Sequence, residues 1–146
     1  LNAERVISAN AALGIGRAAL HRGTEYAKQR EVFGRPIGKN QGIAFQLADA
    51  AIRLDAAELM VQKAAWMVDR GLPSGREANA AKFLCAEAGF HAADVALLVL
   101  GGFGYGKEFH VERYFREARL MRIAPISQEM VLNYTAEHVL GLPRSY

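Results

Sequence analysis

Arg30-Glu31-Val32-Phe33-Gly34-Arg35-Pro36-Ile37-Gly38-Lys39-Asn40-Gln41 interrupts what would otherwise be one long helical pattern. Pro36 lacks an amide hydrogen and drives Arg35 out of the α region, while Gly34 and Gly38 accept backbone angles that other residues avoid. The stretch therefore reads as an ordered loop between two long helices, carrying Arg30, Arg35, Lys39 and one large aromatic, Phe33. Loops held by rigid helices often carry function, although a plain connector satisfies the same pattern.

Before the loop, Val6, Ile7, Leu13, Leu20 and Ala27 recur at helical spacing, which predicts a helix from about Asn2 to Gln29 with one buried stripe. Gly14 and Gly16 inside it are expected to serve close helix packing. After the loop, Ile43, Leu47, Ala51, Leu54, Val61, Ala65 and Val68 predict a second helix from about Gln41 to Asp69, stopped by Gly71-Leu72-Pro73. Ser74-Gly75-Arg76-Glu77 has the form of a capping box and opens a third, with Ala78, Ala81, Leu84, Ala88, Val95 and Val99 on its stripe.

Gly101-Gly102-Phe103-Gly104-Tyr105-Gly106 ends that helix. It superficially resembles a dinucleotide fingerprint, but no strand precedes it, which argues against a Rossmann unit. A short helix is expected over residues 108–119, with Arg113, Arg116, Arg119 and Arg122 spaced by three. That row is either a solvated face or a surface for acidic or phosphate partners. Ala124-Pro125 breaks the chain again, and Ser127 can cap a last helix carrying Met130, Val131, Tyr134 and Val139. No alternating strand pattern is visible. The expected fold is all-α: an antiparallel up-down bundle of four main helices plus a short additional helix, filling residues 1–146 as one domain.

The 146 residues are 51% hydrophobic and 23% charged, a composition that folds around a core. A net charge of +3 does not indicate nucleic acid. No apolar run reads as long enough to span a bilayer. The lone Cys85 excludes an intrachain disulfide and suits a reducing compartment, with a packed, inert thiol expected. His21, His91, His110 and His138 show no metal-ligand spacing, so no metal site is assigned. The helical pattern starts abruptly at Leu1, so the chain is expected to be a piece of a longer polypeptide.

Two motifs together carry a resemblance. Tyr26-Ala27 with Arg30, Phe33-Gly34, Ile37 and Gln41 is similar to one signature of the C-terminal helical domain of the acyl-CoA dehydrogenase family. Gly101-Gly102-Phe103-Gly104-Tyr105 with Glu108, Arg113, Arg116 and Ala118 is similar to its second. The resemblance spans essentially the whole chain. It implies an FAD-dependent enzyme that oxidises an acyl-CoA thioester at its α and β carbons. It also implies a homo-oligomer, a dimer or tetramer, with an electron-transferring flavoprotein as acceptor, in the bacterial cytoplasm or the mitochondrial matrix.

Residue by residue, the resemblance implies that Arg30 meets the FAD pyrophosphate of a neighbouring subunit. A guanidinium fork can hold two phosphate oxygens at once. Phe33 would pack near the cofactor and Gln41 at its adenine end. Gly101 and Gly102 would belong to the turn that lets backbone approach FAD, and Ser127 and Glu129 to a segment touching it near the reacting centre. Two positions depart from the family pattern. Leu98 stands where a cofactor-contacting glutamine is usual, and Pro125 stands where many members carry the catalytic glutamate. Isovaleryl-type members instead supply the base from the first helix, in a Leu-Asp-Leu-Glu-Arg context. Leu1-Asn2-Ala3-Glu4-Arg5 is similar to it, so Glu4 matches the base and Arg5 its neighbour on the substrate side. The mechanism calls for a carboxylate in a dry pocket; an ordinary exposed helix carboxylate is the alternative. A flavin oxidase or monooxygenase not using CoA thioesters, or a non-catalytic partner subunit, would also fit the scaffold. The isolated piece is expected to be inactive and to self-associate.

Overall fold

The computed structural model describes residues 1–145. Three long helices form its body: α1 (Asn2–Gln29), α2 (Gln41–Asp69) and α3 (Gly75–Leu100). Their bounds agree with the sequence reading to within a residue or two. A single turn, α4 (Gly102–Tyr105), and two shorter helices, α5 (Val111–Met121) and α6 (Gln128–His138), complete the fold. The Pro36 segment is more structured than a loop. Two-residue strands β1 (Glu31–Val32) and β2 (Arg35–Pro36) pair antiparallel, with Val32 opposite Arg35, and a single 3-10 turn over Ile37–Lys39 leads into α2.

The hairpin turn is Phe33-Gly34, both in the left-handed region at φ 54° and 74°. Two-residue turns with two left-handed residues match the twist of the flanking strands. Glycine takes that conformation freely, whereas phenylalanine is strained there. The ring of Phe33 is 100% exposed.

α3 is the axis of the bundle, packing against α1, α2, α5 and α6. Short connections make α2 antiparallel to both neighbours, so α1 and α3 run parallel. They touch backbone to backbone. A methyl group on Gly16 would lie 2.7 Å from Cα of Gly89, and one on Gly89 would lie 2.4 Å from the Ala12 carbonyl oxygen. Gly16 thus serves the close packing expected of it. Gly14 does not, because a side chain there would meet open space.

Alanines carry much of the core: Ala9, Ala12 and Ala19 of α1 and Ala50, Ala57 and Ala64 of α2 are buried, together with Leu13, Leu54 and Val61. Small side chains let the helix axes approach closely. Ile7, expected on the buried stripe, is 68% exposed. α3 has a mean hydropathy of 1.7 over an 18-residue window, long and apolar enough to cross a bilayer. That differs from the expectation, and the reason is its central position. Ala78, Ala81, Cys85, Ala88, Ala92, Val95 and Ala96 are all enclosed by neighbouring helices.

The expected capping box at Ser74 does not form. The Ser74 hydroxyl accepts from Asn2 Nδ2 at 3.3 Å, and the Glu77 carboxylate takes Lys63 Nζ at 3.2 Å. Ser127 does cap α6, accepting from the Met130 amide at 3.4 Å. The short helix foreseen over residues 108–119 starts only at Val111, because His110 adopts φ 62°. Cys85 is the inert thiol expected. It is wholly buried, its Sγ directed at the Ala57 carbonyl at 3.5 Å, and burial pushes its pKa up to about 12.

Candidate functional site

The residues singled out in sequence fall at two ends of the bundle. One end gathers the C-terminus of α1, the hairpin, the start of α2 and the turn after α3. Arg30, Phe33, Gln41, Leu98, Gly101 and Gly102 all lie there and all are exposed. The Arg30 amide closes α1 on the Tyr26 carbonyl at 2.8 Å, and its own carbonyl accepts from the Ile37 amide at 2.8 Å. Both main-chain bonds hold the arginine at the hairpin base. Its guanidinium pairs with no other described residue. Leu98 is 63% exposed and puts an apolar side chain where a polar contact was expected from the family pattern. Gly101 takes φ 59°, and a side chain at Gly101 or Gly102 would meet nothing within 4 Å. Tyr26, Phe103 and Phe109 form an aromatic cluster beneath, with ring centres 5.4–6.4 Å apart.

The other end holds Glu4, Ser127 and Glu129. Glu4, Ile7 and Ser8 of α1 face Met121 of α5 and Ala124 and Pro125 of the following loop across a largely apolar cleft of about 490 Å³. The two alternative positions for a catalytic base, Glu4 and Pro125, therefore line the same space. Glu4 makes no ion pair with another described residue. Arg5 is directed elsewhere. It lines a separate, polar cavity of about 330 Å³ with Ile126, Asn133, Tyr134, Glu137 and His138. Its Nη1 donates to Asn2 Oδ1 at 3.1 Å, and its Nε is buried with no hydrogen-bond partner among the described residues.

Glu129 faces a third, small cavity with Arg119, Arg122, Ile123, Ser127 and Gln128. Its own backbone N–H and the Ser127 hydroxyl hold its carboxyl below the usual range, with Arg122 and Lys82 adding to the effect. That makes it a weak proton acceptor, and it does not line the cleft of Glu4. Sequence reasoning missed Ile7, Ser8 and Met121 as lining residues. It also missed a buried polar group, Lys82 with Gln128 and Glu87. One signal was available: Lys82 falls four residues after Ala78 and three before Cys85, on the apolar stripe itself.

From Glu4 to Arg30 is 26 residues along one straight helix, or roughly 40 Å at 1.5 Å per residue. No single small cofactor reaches both in one copy of the chain. The hairpin end has the chemistry for a dinucleotide: an unengaged guanidinium for phosphate, an exposed aromatic ring, and a glycine turn with open space over it.

Residues 1–140 match the family model described as "Acyl-CoA dehydrogenase, C-terminal domain". The chain belongs to the acyl-CoA dehydrogenase family. It is 49% identical over 148 aligned positions to the acyl-CoA dehydrogenase FadE12 of Mycobacterium tuberculosis, covering 100% of this chain and 38% of that protein. Its fold matches butyryl-CoA dehydrogenase of Megasphaera elsdenii with a TM-score of 0.93 at 36% identity, over 95% of this chain and 36% of that one. It also matches the structure described as PigA with FAD and proline, with a TM-score of 0.90 at 25% identity, over 95% of this chain and 36% of that one. The chain thus spans well under half the length of these family relatives.

Proposed function

We propose that this chain is the C-terminal bundle of a longer FAD-dependent acyl-CoA dehydrogenase, with Glu4 as the base. The carrying observation is that Glu4 shares one apolar cleft with Pro125, a residue that cannot accept a proton. The Glu4 carboxylate takes the α proton of the thioester, and the Cα–H electron pair becomes the new carbon–carbon double bond. FAD, when bound, supplies the acceptor for the hydride that leaves the β carbon. Ile7, Met121, Ala124 and Pro125 give the cleft its apolar lining around the exposed Glu4 carboxylate. Arg30 and Phe33, with Gln41 and the Gly101-Gly102 turn, hold the cofactor of a second copy. The roughly 40 Å separating them from Glu4 supports a homo-oligomer. Electrons then pass to an electron-transferring flavoprotein. The lone buried Cys85 supports a reducing compartment, the bacterial cytoplasm or the mitochondrial matrix.

The test uses the full-length parent protein mixed anaerobically with a panel of acyl-CoAs. Flavin bleaching is expected for the native protein. Glu4→Gln should keep its flavin and lose turnover by about 10²–10⁴-fold. Unchanged turnover excludes Glu4 as the base. The likeness to a structure holding proline with FAD favours one second reading, a flavin enzyme of the same scaffold acting on another substrate. Bleaching by no acyl-CoA would support that reading, and a purified parent that neither contains nor takes up flavin would support a non-catalytic subunit.

A further inference from the structure

Lys82 is the one charged side chain fully enclosed among the described residues, with 1% of its surface exposed. It sits on α3 facing α6. Its Nζ donates to Oε1 of Gln128, the first residue of α6, at 2.9 Å. The Gln128 amide in turn donates to Glu87 Oε1 at 2.9 Å and to the Phe83 carbonyl at 3.3 Å. Arg122, which closes α5, donates from Nε to the same Glu87 oxygen at 2.7 Å. One polar group on α3 therefore grips both ends of the segment 122–128. That segment carries Ala124 and Pro125, which line the cleft of Glu4, and Met121 lies just before it. α6 has its main contact with α3, so this grip is the chief polar tie of the segment to the bundle.

An ammonium in a core position is an unfavourable choice for stability alone. Burial disfavours its charge, and the nearby Glu129 and Glu87 carboxylates only partly offset this. A methionine of similar reach would pack without that penalty. What a buried, fully satisfied polar group adds is direction, because its hydrogen bonds admit one geometry where apolar packing admits several.

We propose that Lys82 is a positioning residue that, through Gln128, fixes the loop 123–127 and hence the wall of the cleft opposite Glu4. The kinetic part of this proposal rests on the acyl-CoA dehydrogenase reading; the structural part does not. The experiment compares the full-length parent with Lys82→Met and with the double variant Lys82→Met, Gln128→Leu. Thermal unfolding, hydrogen exchange over residues 122–131, kcat and KM are measured. Lys82→Met leaves the Gln128 oxygen buried and unpaired, so exchange over 122–131 should rise about tenfold while α1 and α2 keep their protection. kcat should fall at least about tenfold, with KM changing less. The double variant removes both polar partners and should recover thermal stability. Its exchange over 122–131 should remain raised and its kcat low, and it carries the test if the single variant fails to fold. Exchange and kcat that return together with thermal stability overturn the proposal, as does exchange raised throughout the bundle. Should the native parent fail to reduce its flavin with any acyl-CoA, the functional reading falls, and the exchange pattern alone decides the role of Lys82.

Discussion

The two ends of the bundle are built on different terms. At the hairpin end, Arg30, Phe33 and the Gly101-Gly102 turn project outward, and the Arg30 guanidinium and the Phe33 ring find no partner among the described residues of their own chain. At the α6 end, Glu4 faces a wall made by the same chain, and that wall is tied down by Lys82, Gln128, Glu87 and Arg122. One end is finished internally and the other waits for a surface from outside. A helix of 28 residues keeps them apart. The proposed function therefore calls for one end from each of two copies.

The sharpest way to break this comparison is complementation. In the full-length parent, Glu4→Gln and Arg30→Ala should each abolish most turnover, by about 10²-fold or more. Co-expressed, they should regain it, because a mixed pair assembles one site with an intact Glu4 and an intact Arg30. Mixed oligomers as inactive as the parents would place both ends in one site of one copy.

The spine between the ends gives the next largest effect. Gly89→Ala should destabilise by about 1–3 kcal/mol through overpacking against Ala12, read as a lowered urea midpoint. Gly14→Ala, with open space around it, should instead stabilise by up to about 1 kcal/mol. Equal effects at both would deny that α1 and α3 touch through Gly16 and Gly89.

The hairpin tip should trade stability against binding. Phe33→Asn relieves a left-handed aromatic and should raise stability by about 1 kcal/mol, seen in thermal unfolding. Flavin retention should fall in the same protein. A variant that loses stability would remove the strain from the comparison.

The smallest effect is a pH dependence in the shared core. Below pH 9 the Cys85 thiol is protonated in both folded and unfolded chains. As pH rises from 9 toward 12 only the unfolded thiol ionises, so the stability from its raised pKa is lost over that window. At about pH 10 the native protein should have lost about 1 kcal/mol more than Cys85→Ala, measured by urea unfolding.

Helix positions were legible because a 3.6-residue period persists over nearly thirty residues, and because Pro36 and Pro73 break it. The hairpin was not legible, since strands of two residues leave no period to detect. Ile7 was assigned to the core because hydrophobicity alone cannot tell a core face from a cleft wall; alanines such as Ala9 and Ala12, weak by any hydrophobic scale, hold the real contact. Ser74 matched a capping box by type, but the Asn2 amide engages its hydroxyl. Of the site, Glu4, Pro125 and Arg30 stood out in the motifs. Their split between two ends did not, because motif spacing says nothing of direction along a helix. The polar grip around Lys82 joins residues 46 positions apart, beyond any local pattern.

Glycine meeting glycine between α1 and α3 sets backbone against backbone, with the buried Leu54 side chain packed beside the contact. The pair behaves as a splint. A ligand that loads the hairpin of one subunit can reach that subunit's own carboxylate end only by shifting the body as a whole. In the homo-oligomer proposed above, communication between half-sites then runs through the seams between subunits, and it should weaken when those seams are loosened and survive changes made within the splint.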